Sequence, residues 1–100
     1  MSVSAIRGLM EDGERVLGED AVENHRGKAT PLVVTTRAFY LNDGGLYTRY
    51  AYSRIRSATF DQREIFIALD GQAVRLRCRT PVDRSEALQS LRRQVALARL

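Results

Sequence analysis

The sequence predicts an α+β domain: about seven short antiparallel strands forming a partly open barrel, a C-terminal helix capping it, and a short helix at the N-terminus. Three observations predict this. From Glu14 to Thr80 the chain is a succession of β-rich stretches broken by Gly, Asn, Asp and Pro. After Pro81 the period changes, and Leu88, Leu91, Val95 and Ala98 recur at spacings of 3, 4 and 3, one stripe of a helix. The chain has 100 residues, enough for one small core, and an antiparallel meander this short must curl to bury its apolar face.

The elements follow in order. Ser2 or Ser4 can cap a first helical turn, in which Ile6, Leu9 and Met10 share a face, and Gly13 suits its end. We divide the chain into residues 1–12, a short helix packing on the domain, and residues 13–100, the domain itself. Glu14 to Glu23 reads as a first strand with a bulge at Gly18. Asn24-His25-Arg26-Gly27-Lys28 is a turn cluster. Pro31 can open a strand but not sit centrally in one. Leu32 to Leu41 is rich in β-branched and aromatic residues, with Thr36-Arg37 as a tight connection between two strands. Asn42-Asp43-Gly44-Gly45 is the clearest hairpin turn. Leu46 to Tyr52 and Ser53 to Asp61 follow as strands, the first with Leu46, Thr48, Tyr50 and Tyr52 on one face. Ile65, Ile67 and Leu69 alternate toward a core, and Asp70-Gly71 is a type I′ signal. Val74, Leu76 and Cys78 then alternate inward while Arg75, Arg77 and Arg79 alternate outward. The closing helix spans Val82 to about Arg99, capped by Asp83 or Ser85.

Composition narrows the function classes. Of sixteen basic residues only Lys28 is lysine, and the net charge is +4. Residues 1–25 hold Arg7 and Arg15 against six acids, so the front is acidic and the remainder strongly basic. Such a split suits either an anionic partner for the body or self-association between opposite poles. One Cys and one His make a poor metal set, and one Cys forms no internal disulfide. No apolar run approaches the ~20 residues of a membrane span. The N-terminus lacks the apolar core of a signal peptide. The expectation is a cytoplasmic protein, at most peripheral to the inner membrane face. No phosphate-binding glycine loop, carboxylate pair or nucleophile–base spacing occurs, so we expect no enzyme, no catalytic residues, no cofactor and no metal.

The element order resembles the bacterial pleckstrin-homology-like (PH-like) domains, including the GRAM-like branches. The residues carrying the resemblance are Gly13-Glu14-Arg15-Val16, the strand pair Thr35-Thr36-Arg37-Ala38-Phe39-Tyr40-Leu41, and Tyr52-Ser53-Arg54-Ile55-Arg56-Ser57-Ala58. It covers residues 13 to about 97 and rests on a hydrophobic pattern more than on one signature. It implies a binding module. In phosphoinositide-binding relatives the loop between the first two strands grips headgroup phosphates, and the matching positions here are His25, Arg26 and Lys28.

Two local features bear on binding. Arg75, Arg77 and Arg79 place three guanidinium groups on one face of one strand, a candidate basic interaction face unless acids such as Glu64 on a neighbouring strand neutralise it. The His25, Arg26 and Lys28 turn is the candidate anion or lipid site, although a few bases supply only ~1 kcal/mol each near an anionic surface. Tyr40, Tyr47, Tyr50 and Tyr52 could stack on bases, but their strand placement favours core or rim packing. Cys78 reads as a small core residue. The expected partners are a protein or a second copy of the chain first, an anionic phospholipid headgroup second, and nucleic acid third.

Overall fold

A computed structural model describes residues 5–99. Seven strands follow one another: β1 (Val16–Glu23), β2 (Ala29–Thr35), β3 (Ala38–Asp43), β4 (Leu46–Ala51), β5 (Ile55–Phe60), β6 (Glu64–Leu69) and β7 (Gln72–Cys78). A helix, α1 (Glu86–Ala98), follows the last strand. The strands form a single antiparallel sheet in the order β4-β3-β2-β1-β7-β6-β5. The sheet curls but does not close, so β4 and β5 are its edges. This is the α+β, PH-like arrangement that the sequence predicts. Every pairing joins chain neighbours except β1 with β7, which meet in two residue pairs, Val22 with Cys78 and Glu23 with Arg77.

Alternation decides which side of the sheet is dry. Ile65, Ile67 and Leu69 of β6 and Val74, Leu76 and Cys78 of β7 are buried, while the residues between them are exposed or half-buried. They meet Leu32, Val34 and Phe39 in one core, which Leu88, Leu91 and Val95 of α1 cover. Each such side chain stabilises the fold by roughly 1.5–3 kcal/mol on burial. Phe39 stacks on Tyr50 with ring centroids 4.9 Å apart, which carries the core out to β4.

The helix sits where it does for two local reasons. Gly18 lies at a register shift in β1, and a Cβ there would stand 3.1 Å from the Cα and Cβ of Ala87. Glycine lets the start of α1 come this close without a shift, whereas a Cβ would require Ala87 to give by a few tenths of an ångström. Ser85 is the N-cap: its Oγ accepts from the Leu88 amide at 3.2 Å and donates to Asp20 Oδ2. The cap therefore ties α1 to β1 as well as to its own first turn.

Several boundaries differ from the sequence expectation. Val82–Arg84 form a 3-10 turn, so the helix starts at Glu86 rather than Val82, and Ala98 is exposed while Ala87 joins the buried stripe. Tyr52–Arg54 form another 3-10 turn, so β5 starts at Ile55 rather than Ser53. The Tyr52 amide donates to the Arg37 carbonyl at 3.1 Å and its hydroxyl to the Thr35 carbonyl at 2.7 Å, which pins that turn under the β2–β3 connection. Pro31 lies inside β2, not before it. It is tolerated because β2 gains its β3 neighbour only from Leu32 onward. The type I′ turn is at Gly44-Gly45, where both φ values are positive, at 68° and 91°. At Asp70-Gly71 only Gly71 has a positive φ, so that hairpin is not type I′.

The N-terminal segment packs on the opposite face of the sheet. Ala5 and Ile6 are α-helical and run into a 3-10 turn at Arg7–Leu9, and the proposed caps Ser2 and Ser4 lie outside the described residues. Ile6 is fully buried against Val33, Ala38 and Tyr40, with Met10, Val16 and Tyr47 at the margin. Among the described residues no helix is long and apolar enough to cross a membrane.

Candidate functional site

The β1–β2 turn is built by Asn24, whose Oδ1 accepts from the Arg26 and Lys28 amides at 2.9 and 3.0 Å. Gly27 supplies the left-handed residue at φ 75°. His25, Arg26 and Lys28 are all exposed there. The curl of the sheet brings His25 to the outer row of β7, where it shares a cavity of about 310 Å³ with Arg75 and Arg77. Arg26 and Lys28 do not line it, so the proposed anion site is split. Glu23 and Glu64 stand in the same wall, and two carboxylates beside two guanidinium groups leave no positive excess.

The Arg75, Arg77 and Arg79 row is equally well matched by its surroundings. Arg75 lies over the Phe66 ring, 5.7 Å from its centroid. Arg77 is opposite Glu64 on β6 and Glu23 on β1. Arg79 reaches Glu23 at 3.6 Å. Glu64, the acid the sequence offered, is thus the cross-strand neighbour of Arg77, and the ion pair that forms in this row is the one from Arg79 to Glu23.

The tyrosines divide as packing predicts. Tyr40 and Tyr52 are buried, and Tyr47 and Tyr50 are half-buried. Cys78 is buried, and burial first, then nearby Asp20 and Asp61, pushes its thiol up to about 11, so it stays protonated at neutral pH. Among the described residues no group of three or more His, Cys, Asp and Glu side chains is placed to hold a metal ion.

The most constructed polar site lies at the other end of the strands, and the sequence reading did not find it. Glu14 is buried and faces four donors. Its Oε2 accepts from the Thr35 hydroxyl and from Tyr40 Oη at 2.7 Å. Its Oε1 accepts from Arg49 Nη2 at 3.0 Å and from the Glu11 amide at 2.9 Å. Arg49 Nε also donates to Tyr40 Oη at 3.0 Å. Burial by itself raises the Glu14 pKa, but the hydrogen bonds from Thr35, Glu11, Tyr40 and Arg49 outweigh it and hold the carboxyl below its ordinary value. Burial, then the bond to Glu14, pushes the Tyr40 phenol up to about 12.

Strand register makes this cluster. Tyr40 and Arg49 are direct partners on β3 and β4, and Val33 is the next partner of Tyr40 on β2. The pairing of Tyr40 with Arg49 follows from the two-residue loop at Gly44-Gly45, so that half was legible in the sequence. Glu14 was not, because the sequence reads it as the first residue of a strand, whereas β1 starts at Val16 and Glu14 comes in from the N-terminal segment.

Beside the cluster runs a groove of about 620 Å³ between the N-terminal segment, the β2–β3 turn, the end of β4 and the last turn of α1. Arg15, Arg37 and Arg49 line it, with Glu11 as the one acid, and Tyr52, Leu97 and Ala98 supply apolar wall. Glu11 lies 3.4 Å from Arg49 and 3.9 Å from Arg37. The sequence matches no protein-family model and no curated protein.

Proposed function

We propose that the protein is a non-enzymatic, PH-like binding module that works by protein–protein contact, beginning with self-association through the β4 edge. The observation that carries this is the undefended state of that edge. Natural sheets blunt their edges with Lys, Pro, bulges or free charges. β5 has a bulge between Ile55 and Ser57, and its Arg56 side chain is largely exposed. β4 has regular register along its whole length and neither Lys nor Pro, and its one charge, Arg49, is engaged by Glu14. Leu46 is 77% exposed on it. Antiparallel pairing of β4 with β4 of a second copy is isologous, so it closes at a dimer, with Leu46 at each end of the shared ladder.

Light scattering on a sizing column tests this. The expected result is a concentration-dependent dimer that Leu46→Lys converts to monomer without lowering thermal stability. A parent chain that stays monomeric at high concentration sinks the self-association. The lipid and nucleic-acid readings have less support, because the cavity at His25, Arg75 and Arg77 carries balancing acids. Sedimentation with anionic vesicles, and a gel shift with DNA or RNA at low salt, would bring them back if positive.

A further inference from the structure

We propose that the groove beside Glu14 docks an acidic segment of a partner protein, one that presents a carboxylate next to an apolar side chain. This rests on the reading of the chain as a binding module but not on β4 pairing. Three features carry it. The first is charge. Arg15 has no ion pair among the described residues, and Arg37 has only Glu11 at 3.9 Å. Both are exposed at the mouth of the groove. Arg49 is fixed from behind by Glu14 and Tyr40, so its guanidinium is held in place before any ligand arrives.

The second feature is Glu11, whose side chain is more than half exposed and lies near two guanidinium groups without a close bond to either. It occupies the position that an incoming carboxylate would take, as a weakly held internal substitute. The third is Leu97, 54% exposed at the end of α1 and part of the same groove. An uncovered leucine beside arginines matches a ligand with both kinds of side chain. With Glu11 and Glu14 counted against three arginines the site keeps a single positive excess, which suits one or two carboxylates. It does not suit a polyphosphate backbone, whose binding neutralises many charges at once. Arg can take a carboxylate through two parallel N–H donors, which fixes its direction as well as its position.

The test is an arrayed library of short peptides in which Glu or Asp stands at every near spacing from Leu, Ile, Phe or Met. The full chain is probed against it, and the best members are titrated by NMR. The expected result is selection of members holding both an acid and an apolar residue, with shifts at Arg37 and Leu97. The double variant Arg15→Glu, Arg37→Glu should weaken binding about tenfold or more. Glu11→Gln should tighten it, which a merely structural Glu11 would not do. The proposal is overturned if no member binds at millimolar concentration, if Gln-for-Glu peptides bind as well, or if the double variant binds like the parent. It is also overturned if phosphatidylserine vesicles or a DNA oligonucleotide bind these arginines in place of the peptides. Both arginines are exposed, so an unchanged melting curve for the double variant separates lost binding from lost folding. Light scattering on the same samples keeps the two readings apart. A monomeric chain that still binds peptide fails only the β4 pairing, and a dimer that binds none fails only the groove.

Discussion

Glu14 is a carboxylate taken fully out of water, and four donors compensate for the lost hydration. Such a group is costly to disturb, because removing it leaves the other members unpaired. Glu14→Gln should destabilise the fold by about 2 kcal/mol in a denaturant melt, within the range for hydrogen bonds to charged groups. Its pH signature has a definite sign. The folded pKa lies below the ordinary value, so the stability from this group is complete above the unfolded pKa of about 4.3 and is lost as pH falls through the folded one. Acid titration of stability should therefore be shallower in Glu14→Gln than in the parent. Tyr40 acts at the other extreme. Its folded pKa is raised, so its contribution is present below the unfolded value of about 10 and is lost as pH rises toward about 12. Tyr40→Phe should flatten that alkaline loss, read by thermal melts between these limits. At this scale the sequence displayed Tyr40 and Arg49 as facing residues through the Gly44-Gly45 hairpin. It did not display the role of Glu14, which reads as the start of a strand but precedes β1 and turns its carboxylate toward Thr35, Tyr40 and Arg49.

Between elements, the closest approach is that of α1 to β1. Gly18→Ala would push its methyl group to 3.1 Å from Ala87, and the neighbouring atoms belong to the first turn of α1 rather than to a flexible side chain. An overpacking cost of about 1–3 kcal/mol follows, and a second change, Ala87→Gly, should return part of it. Ser85→Ala should cost about 1 kcal/mol as a lost cap, with some addition from the Asp20 oxygen it leaves unpaired. Both effects are visible as lower Tm, about 4–8 °C per kcal/mol for a domain this size. The strands, their turns and the buried stripe of α1 were legible because period two, period 3.6 and glycine turns are written locally. The 3-10 turns at Tyr52–Arg54 and Val82–Arg84 were not, because distant carbonyls, Arg37 and Gln62, fix them. Gly18 was legible as a bulge, while its service to the helix needed the tertiary contact.

For the whole molecule, the basic excess loses much of its apparent meaning. The Arg75, Arg77 and Arg79 row faces Phe66, Glu64 and Glu23, and the His25 cavity contains two of those acids. Replacing the three arginines with alanine should change stability by no more than about 1 kcal/mol in a thermal melt, since exposed pairs contribute little. Which arginines meet acids depends on strand order, and the union of β1 with β7 is the one pairing that local sequence could not announce. That union has a kinetic meaning. All other strand pairs are hairpins that close short loops, whereas two residue pairs at Val22 and Glu23 must wait for the chain from β2 to β7 to be placed. Loop-closure entropy makes such a contact late. The molecule should thus assemble as a four-stranded unit, β1 to β4, and a three-stranded unit, β5 to β7, before they join under α1. Native-state hydrogen exchange would then find these two units opening at separate free energies, with the amides at the junction exchanging before the centre of either.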